Sequence, residues 1–301
     1  MSIDYNSNRE KTILFDVPQE FDLMDAKTFL RRHCGVSART LSKLKRTNLG
    51  ITRNGLLLKT TDILHSGDKV ELAMPDDTNE IEPIKGELDI LYEDDYLILI
   101  NKKPLMPVHP TKVHQQDTLA NVLCYYMQQK GEYYTFRAIN RLDRDTSGCL
   151  LVAKDRFTAN SVAKSVKKEY VAVCEGEICS SGTIDSPIKV MEGRSIQRVV
   201  ADDGDPSVTH YFPIMYKNGH TLTRFVLETG RTHQIRCHMS SVGHSLAGDD
   251  MYGGSLKFIT RQALHCYKMS FIHPITQRNI EIVSRLPQDM CLIFDCKKLE
   301  L

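Results

Sequence analysis

Three short segments of the chain gather side chains able to hold charge or move protons. The first runs Ile139-Asn140-Arg141-Leu142-Asp143-Arg144-Asp145-Thr146-Ser147-Gly148. A carboxylate between two arginines, on a turn rich in Asp, Thr, Ser and Gly, would be kept ionised by its cationic neighbours. Such a group can serve as nucleophile or base without a metal. Taken alone, the segment also fits a capped turn that merely feeds a strand. The second, Lys168-Glu169-Tyr170-Val171-Ala172-Val173, sets an aromatic ring beside cations at a strand start; alone, it also fits a core tyrosine. The third is Leu227-Glu228-Thr229-Gly230-Arg231-Thr232-His233-Gln234-Ile235-Arg236-Cys237-His238. There Thr232 would cap a helix ending near Val242, with Ile235, Met239 and Val242 as its buried stripe and Gly243 as its stop. His233 and Arg236 then share a face near the helix start, where the dipole and the guanidinium fork both welcome anions. A capped surface helix with solvated cations is the plainer alternative. His233 and Cys237 at i, i+4 could share one ion, but no partner set completes a tetrahedron, so no metal is expected.

These segments need elements to hold them. Strands are expected at 148–153, 170–177, 210–216 and 221–227, the last pair joined around Asn218-Gly219, with two more in 88–101 around an acidic turn. Residues 117–130 read as a helix, with Leu119, Val122, Leu123, Tyr126 and Met127 on its apolar face and Gly131 closing it. Strands outnumber helices and connect by short turns, so the expectation is an α+β fold with a mixed, largely antiparallel sheet. Upstream, Asp25 and Ser37 can each cap a short helix, the second running to about 46. Asn54-Gly55 signals a tight hairpin, and 69–73 alternates in period two.

The chain has 301 residues, 41% hydrophobic and 26% charged, with a net charge of +1. That is ordinary globular composition for about two domains, which excludes a wholly disordered chain. No apolar run approaches the roughly 18 residues of a membrane span, and the first ten residues lack a signal-peptide core, so a cytoplasmic protein is expected. Nine cysteines occur without a Cys-x-x-Cys pair, which indicates buried thiols rather than a disulfide framework.

The neutral total hides a division. Between Ala26 and Thr60 there are nine cations, Lys27, Arg31, Arg32, Arg39, Lys43, Lys45, Arg46, Arg53 and Lys59, and no acid; between Pro75 and Asp95 there are nine acids. A concentrated positive module is the footprint of a polyanion partner. The expected organisation is a basic module at 12–74, an acidic linker at 75–87 and a larger domain at 88–301.

The basic module resembles the alpha-L RNA-binding fold, a small α/β unit, through its helix pair, Ser37-x-Arg39, the Gly50-x-x-x-Asn54-Gly55 hairpin and the closing Gly67-Asp68. Leu23-Met24-Asp25 stands where that family usually has Arg-Leu-Asp. The three chemical segments together resemble the RluA-type pseudouridine synthases: an Arg-Leu-Asp-x-x-Thr-Ser-Gly turn, a Lys-x-Tyr strand and Thr-Gly-Arg-Thr-His-Gln-Ile-Arg-x-His, in that order. Leu91-Tyr92-Glu93-Asp94-Asp95, Val108-His109-Pro110, Gly248-Asp249-x-x-Tyr252-Gly253, Leu264-His265 and Phe271-x-His273-Pro274 add to the likeness, which spans about 12–290. Asn140 replaces a usual histidine, Lys103-Pro104-Leu105 a usual Pro-Ala-Gly, and Ser245 a usual proline. The stretch from Lys154-Asp155 to Tyr170 is shorter than typical, which bears on an RNA-facing helix.

The resemblance implies that uracil is detached, rotated and rejoined to ribose through carbon 5, with no cofactor. It implies Asp143 as the central group, either attacking covalently or removing a ribose proton, Arg236 as its ion-pair partner, and Tyr170 as the residue that stacks on uracil and takes the final proton. Arg141 would enter the stack vacated by a flipped base, with His109 and His233 beside it. The cations of the basic module would hold phosphates. The implied partner is RNA and the implied state a monomer; the basic module favours ribosomal RNA, with transfer RNA as the alternative. A non-catalytic RNA-binding or ribosome-assembly protein on this fold is countered by intact Asp143, Tyr170 and Arg236. A hydrolase pairing Asp143 with His233 lacks a water-activating base and oxyanion donors.

Overall fold

The structure, a computed structural model, describes residues 11–74, 81–193 and 196–296. The amino-terminal part is built on caps and one tight turn. Asp25 accepts the Thr28 N–H at 3.0 Å and starts α1 (Ala26–Thr28). The chain then widens into an i→i+5 turn, Cys34 N–H bonding the Phe29 carbonyl at 3.1 Å. Ser37 accepts the Thr40 N–H and starts α2 (Ala38–Leu44). β1 (Lys11–Asp16), unforeseen in the sequence, pairs with β4 (Lys69–Met74), which also pairs with β2 (Ile51–Arg53). β2 turns into β3 (Leu56–Leu57) through Asn54 and Gly55, at φ 51° and 82°. Phe29, Leu30, Leu41, Leu44, Val70 and Leu72 fill the core of this part.

Of the expected linker, 75–80 lie outside the described residues. The rest lies along α3 (Leu119–Lys130), where Asn121 takes the Ile84 N–H and donates to the Glu82 carbonyl. The helix expected from 117 begins at Leu119, capped by Thr118 in a reciprocal box with Asn121, because the Thr118 hydroxyl reaches the third N–H of the helix.

The larger sheet runs in the order β5 (Ile90–Glu93), β6 (Leu97–Lys102), β7 (Ser147–Ala153), β14 (Leu264–Ile272), β8 (Lys167–Glu175), β13 (His220–Leu227), β12 (Val208–Lys217), β9 (Gly182–Asp185), with β15 (Asn279–Val283) also on β14. β10 (Ile188–Val190) and β11 (Arg198–Val200) form a separate ribbon. The ladders are antiparallel except the β7–β14 pair, which is parallel. The expected mixed, largely antiparallel α+β architecture is therefore what the chain adopts. β7 is buried along its whole length, which suits the unbroken apolar run Cys149-Leu150-Leu151-Val152-Ala153. β14 was not foreseen, yet it lies at the centre of the sheet.

Side chains alternate along β8: Tyr170, Ala172 and Cys174 face the core shared with α3, while Val171 and Val173 face α6 (Gln288–Leu292) and the residues after it. α4 (Arg156–Val162), capped by Asp155, fills the stretch that reads short in the sequence. It packs onto the amino-terminal part, where Phe157 meets the Phe15 ring edge-on at 5.5 Å and joins its core. Seven cysteines are buried and Cys296 partly so, whereas Cys179 is exposed.

Candidate active site

Asp143 sits on the turn that leads into β7, closed by the Thr146 N–H on the Asp143 carbonyl at 3.1 Å. Gly148 follows at φ 106°, and a Cβ there would lie 2.3 Å from the Cys266 carbonyl oxygen. Only glycine lets β14 come this close, so the Ser147-Gly148 pair fixes where the turn ends.

The partners of Asp143 come from elsewhere in the chain. Arg144, its sequence neighbour, instead pairs with Asp145 through Nε at 2.7 Å, and Arg141 is exposed at the cleft. A side chain next to Asp143 in sequence leaves the turn in another direction, so the flanking arginines do not form its ion pair. That partner is Arg236, whose Nη1 lies 3.2 Å from Asp143 Oδ2, with His233 Nε2 at 3.7 Å from the same oxygen.

Both residues ride on α5 (Gln234–Ser241), which begins differently from expectation. Thr232 does not cap it; His233 occupies the cap position in a left-handed conformation, φ 57°. The buried Gln234 side chain closes the turn instead, accepting from Arg231 N–H and Thr229 Oγ1 and donating to the Val208 carbonyl and Thr209. Ile235 and Met239 are buried, but Val242 is 46% exposed, because it lies past the last helical turn.

Arg236 is buried and serves two carboxylates. Its Nε and Nη2 grip Asp249 at 2.6 and 2.7 Å, a bidentate fork, while Nη1 points to Asp143. Asp249 is fully buried, and the guanidinium also lies 5.0 Å from the centre of the Tyr252 ring. Burial disfavours the arginine's charge, but the two carboxylates more than reverse this and raise its pKa. Tyr252 Oη accepts the Arg198 N–H at 2.8 Å and sits 3.1 Å from His233 Nδ1. With the Tyr252 proton directed at Nδ1, the imidazole N–H would sit on Nε2, facing Asp143. Burial lowers the His233 pKa, consistent with the neutral ring.

Tyr170 lines the same cleft from β8, and burial raises its pKa well above the ordinary value. The cleft is also lined by Arg141, Leu227, Arg231 and Leu264. His109 lies outside that lining; part of its surface is open to solvent, but its ring packs edge-on to Phe136 at 4.7 Å, and this partial desolvation, with the charge of Arg141, lowers its pKa. Among the described residues, no group of three or more His, Cys, Asp or Glu side chains is gathered to hold a metal, and no helix is long and apolar enough to cross a membrane.

Behind the turn, Lys102 is fully buried and gives Nζ to the carbonyls of Lys103, Met106 and Arg144 at 2.9, 2.9 and 2.8 Å. Burial pushes its pKa down from 10.5 to about 7. Charging it within the fold is therefore penalised. The penalty accumulates as pH falls from 10.5 and is complete below about 7. We expect the unfolding free energy of the parent, relative to Lys102→Met, to rise between these two pH values and stay level below. Denaturant titrations across that range check it, and a flat difference would show that Lys102 keeps an ordinary pKa.

The family model described as RNA pseudouridylate synthase matches residues 96–241, which include Asp143, Tyr170 and Arg236. The chain is 41% identical over 267 residues to the uncharacterized RNA pseudouridine synthase YjbO of Bacillus subtilis (strain 168), covering 85% of this chain and 93% of that protein. The chain belongs to the RluA-type family of RNA pseudouridine synthases. The synthase is thus an isomerase that converts uridine in RNA to pseudouridine. It is also 37% identical over 259 residues to the ribosomal large subunit pseudouridine synthase D of Pseudomonas aeruginosa, covering 79% and 81% of the two chains. Its fold matches human RNA pseudouridylate synthase domain containing 1 with a TM-score of 0.57 at 25% identity, over 72% of this chain and 90% of that one.

Sequence reasoning on the synthase missed Asp249 as the main partner of Arg236, Tyr252 as the link to His233, and Lys102. The Gly248-Asp249-x-x-Tyr252-Gly253 motif was a signal for the first two, but spacing alone does not reveal which cation a buried acid meets. Of the basic-module residues, Lys27, Arg32, Arg39, Lys43, Lys45 and Arg46 are exposed. Arg31, also exposed, donates to the Val36 carbonyl, and half-buried Arg53 is bound to the Ile63 carbonyl and Asp68. Those two have less to offer a phosphate.

Proposed function

We propose that the synthase modifies uridine in large-subunit ribosomal RNA, with Asp143 as the reacting group. The ion pair from Asp143 to Arg236 at the cleft is the observation that carries this reading. In the reaction the bond from ribose C1′ to uracil N1 breaks, a bond from C1′ to C5 forms, the C5 proton leaves and N1 gains one. Substrate and product are isomers, so no redox cofactor enters the balance, and the reading requires no metal. Asp143 either attacks covalently or removes a ribose proton. Arg236 orients it, Tyr170 stacks on the base, and Arg141 fills the vacated stack, with His109 and His233 beside the flipped nucleotide.

Residues 12–74 would act as the RNA-binding module, 75–87 as its connection and 88–301 as the catalytic domain. Arg39, Lys43 and Arg46, at i, i+4 and i+7, share a face of α2 and its continuation opposite buried Leu41 and Leu44, which suits a row of phosphates. Relatives support ribosomal RNA: besides the Pseudomonas protein, the ribosomal large subunit pseudouridine synthase D of Escherichia coli (strain K12) is 34% identical over 238 residues. A cytoplasmic monomer fits this reading. Pseudouridine mapping of total RNA with and without the protein tests the target. The expected result is loss of signal at one or more large-subunit positions; loss confined to transfer RNA would overturn it.

A further inference from the structure

The turn that carries Asp143 is tied down from behind by a residue outside the three chemical segments. Arg261 precedes β14 and is only 4% exposed. Its Nη1 donates to the Asp145 carbonyl at 3.1 Å and to the Gln262 carbonyl at 3.0 Å. Its other edge is held by Asp289 at the start of α6, Nε to Oδ2 at 2.7 Å and Nη2 to Oδ1 at 2.9 Å. Asp289 is itself fixed, since its Oδ1 takes the Met290 N–H at 2.9 Å. The α6 segment is anchored by buried Met290, Cys291, Ile293 and Phe294 against Val171 and Val173. Along β8 those two valines face away from Tyr170.

A guanidinium is planar and rigid. Once a carboxylate grips the Nε edge, the direction of Nη1 is set. Asp289 thereby dictates where Arg261 meets the turn. The backbone of Arg261 acts on the other half of the site. Its carbonyl oxygen would lie 2.0 Å from a Cβ at Gly248, the residue before Asp249. One residue therefore hydrogen-bonds the turn bearing Asp143 and packs its backbone against the chain bearing the carboxylate that grips Arg236. Gln262 adds a buried contact to Thr146 Oγ1 at 3.4 Å.

Resting on the reading of Asp143 as the reacting group, we propose that Arg261 is a positioning residue, aimed by Asp289, that sets the separation of Asp143 from the Arg236–Asp249 pair. A displacement of about 1 Å at a reacting group can lower a rate on the order of 100-fold. Loss of this brace should therefore act on the chemical step and leave RNA affinity alone.

The test uses the full chain and total RNA from cells lacking it, with single-turnover pseudouridine formation at saturating enzyme, RNA affinity and thermal unfolding read in parallel. Arg261→Gln and Asp289→Asn should each slow the single-turnover rate by about tenfold or more, with Kd changed by less than about threefold. Asp289→Glu should restore most of the rate, and the double variant should be no slower than Arg261→Gln, because the two act through one contact. Rates per folded molecule within about threefold of the parent, or single effects that multiply in the double variant, would overturn the proposal. If Arg261→Gln does not fold, Asp289→Asn decides by the same criteria. Asp143→Asn in the same assay separates the two readings: if it turns over within about threefold of the parent, the role of Asp143 fails, whatever the Arg261 variants show.

Discussion

Asp143→Asn is expected to remain folded and bind RNA while losing pseudouridine formation. Asparagine keeps the shape and one oxygen of the side chain but not its charge. The fold tolerates this because Arg236 retains its bidentate grip on Asp249, so no buried cation is left unpaired. Affinity persists because the exposed cations of the amino-terminal part are untouched, and phosphate contacts dominate binding to nucleic acid. The size of the loss distinguishes the two chemical routes. Proton transfer by a positioned group contributes roughly 10²- to 10⁴-fold, so a residual rate in that range below the parent indicates a base. A covalent route leaves no residual rate. Single-turnover assays with a filter-binding control make the measurement, and turnover within about threefold of the parent would remove Asp143 from the mechanism.

Arg236→Ala is expected to abolish turnover and also to destabilise the protein strongly. It strips Asp143 of its partner and, more severely, leaves Asp249 charged and buried without one. Removing one member of a buried ion pair typically costs about 3–5 kcal/mol. Arg236→Lys separates the two effects. A lysine keeps the positive charge near Asp249 and should recover part of the stability, but an ammonium cannot bind Asp249 with two parallel bonds and present a third donor to Asp143. We therefore expect Arg236→Lys to be stable enough to purify and still at least about 100-fold slow. Near-parental turnover in Arg236→Lys would show that charge alone, without the fork geometry, is sufficient.

Much of the cleft could be read from residue type because its charged and aromatic groups lie in compact runs. Asp143, Tyr170 and Arg236 each sit in a segment whose neighbours constrain its element, and all three line one cleft. What could not be read is pairing over distance. Arg144 and Arg141 flank Asp143 in sequence, yet its counter-charge comes from a helix 93 positions away. Asp249 and Asp289 look like surface acids until the structure shows the arginine each one holds. Elements followed the same division. Helices with side-chain caps, at Asp25 and Ser37, were legible, as was the Asn54-Gly55 turn. β14 was not, since Leu264-His265-Cys266-Tyr267-Lys268 shows no clear alternation; its central place comes from pairing with β7 and β8. The start of α5 misled because Gln234 performs from inside the helix the task expected of Thr232.

The parallel pairing of β7 with β14 also bears on how the protein comes to life. Ser147 and His265, which touch across that pair, are 118 positions apart. On a translating ribosome, at roughly 5–20 residues per second, the acid-bearing loop emerges many seconds ahead of the strand that completes its setting. Unfinished polypeptides thus carry Asp143 without its scaffold, and the cleft is complete only once the final third of the molecule is synthesised and packs in.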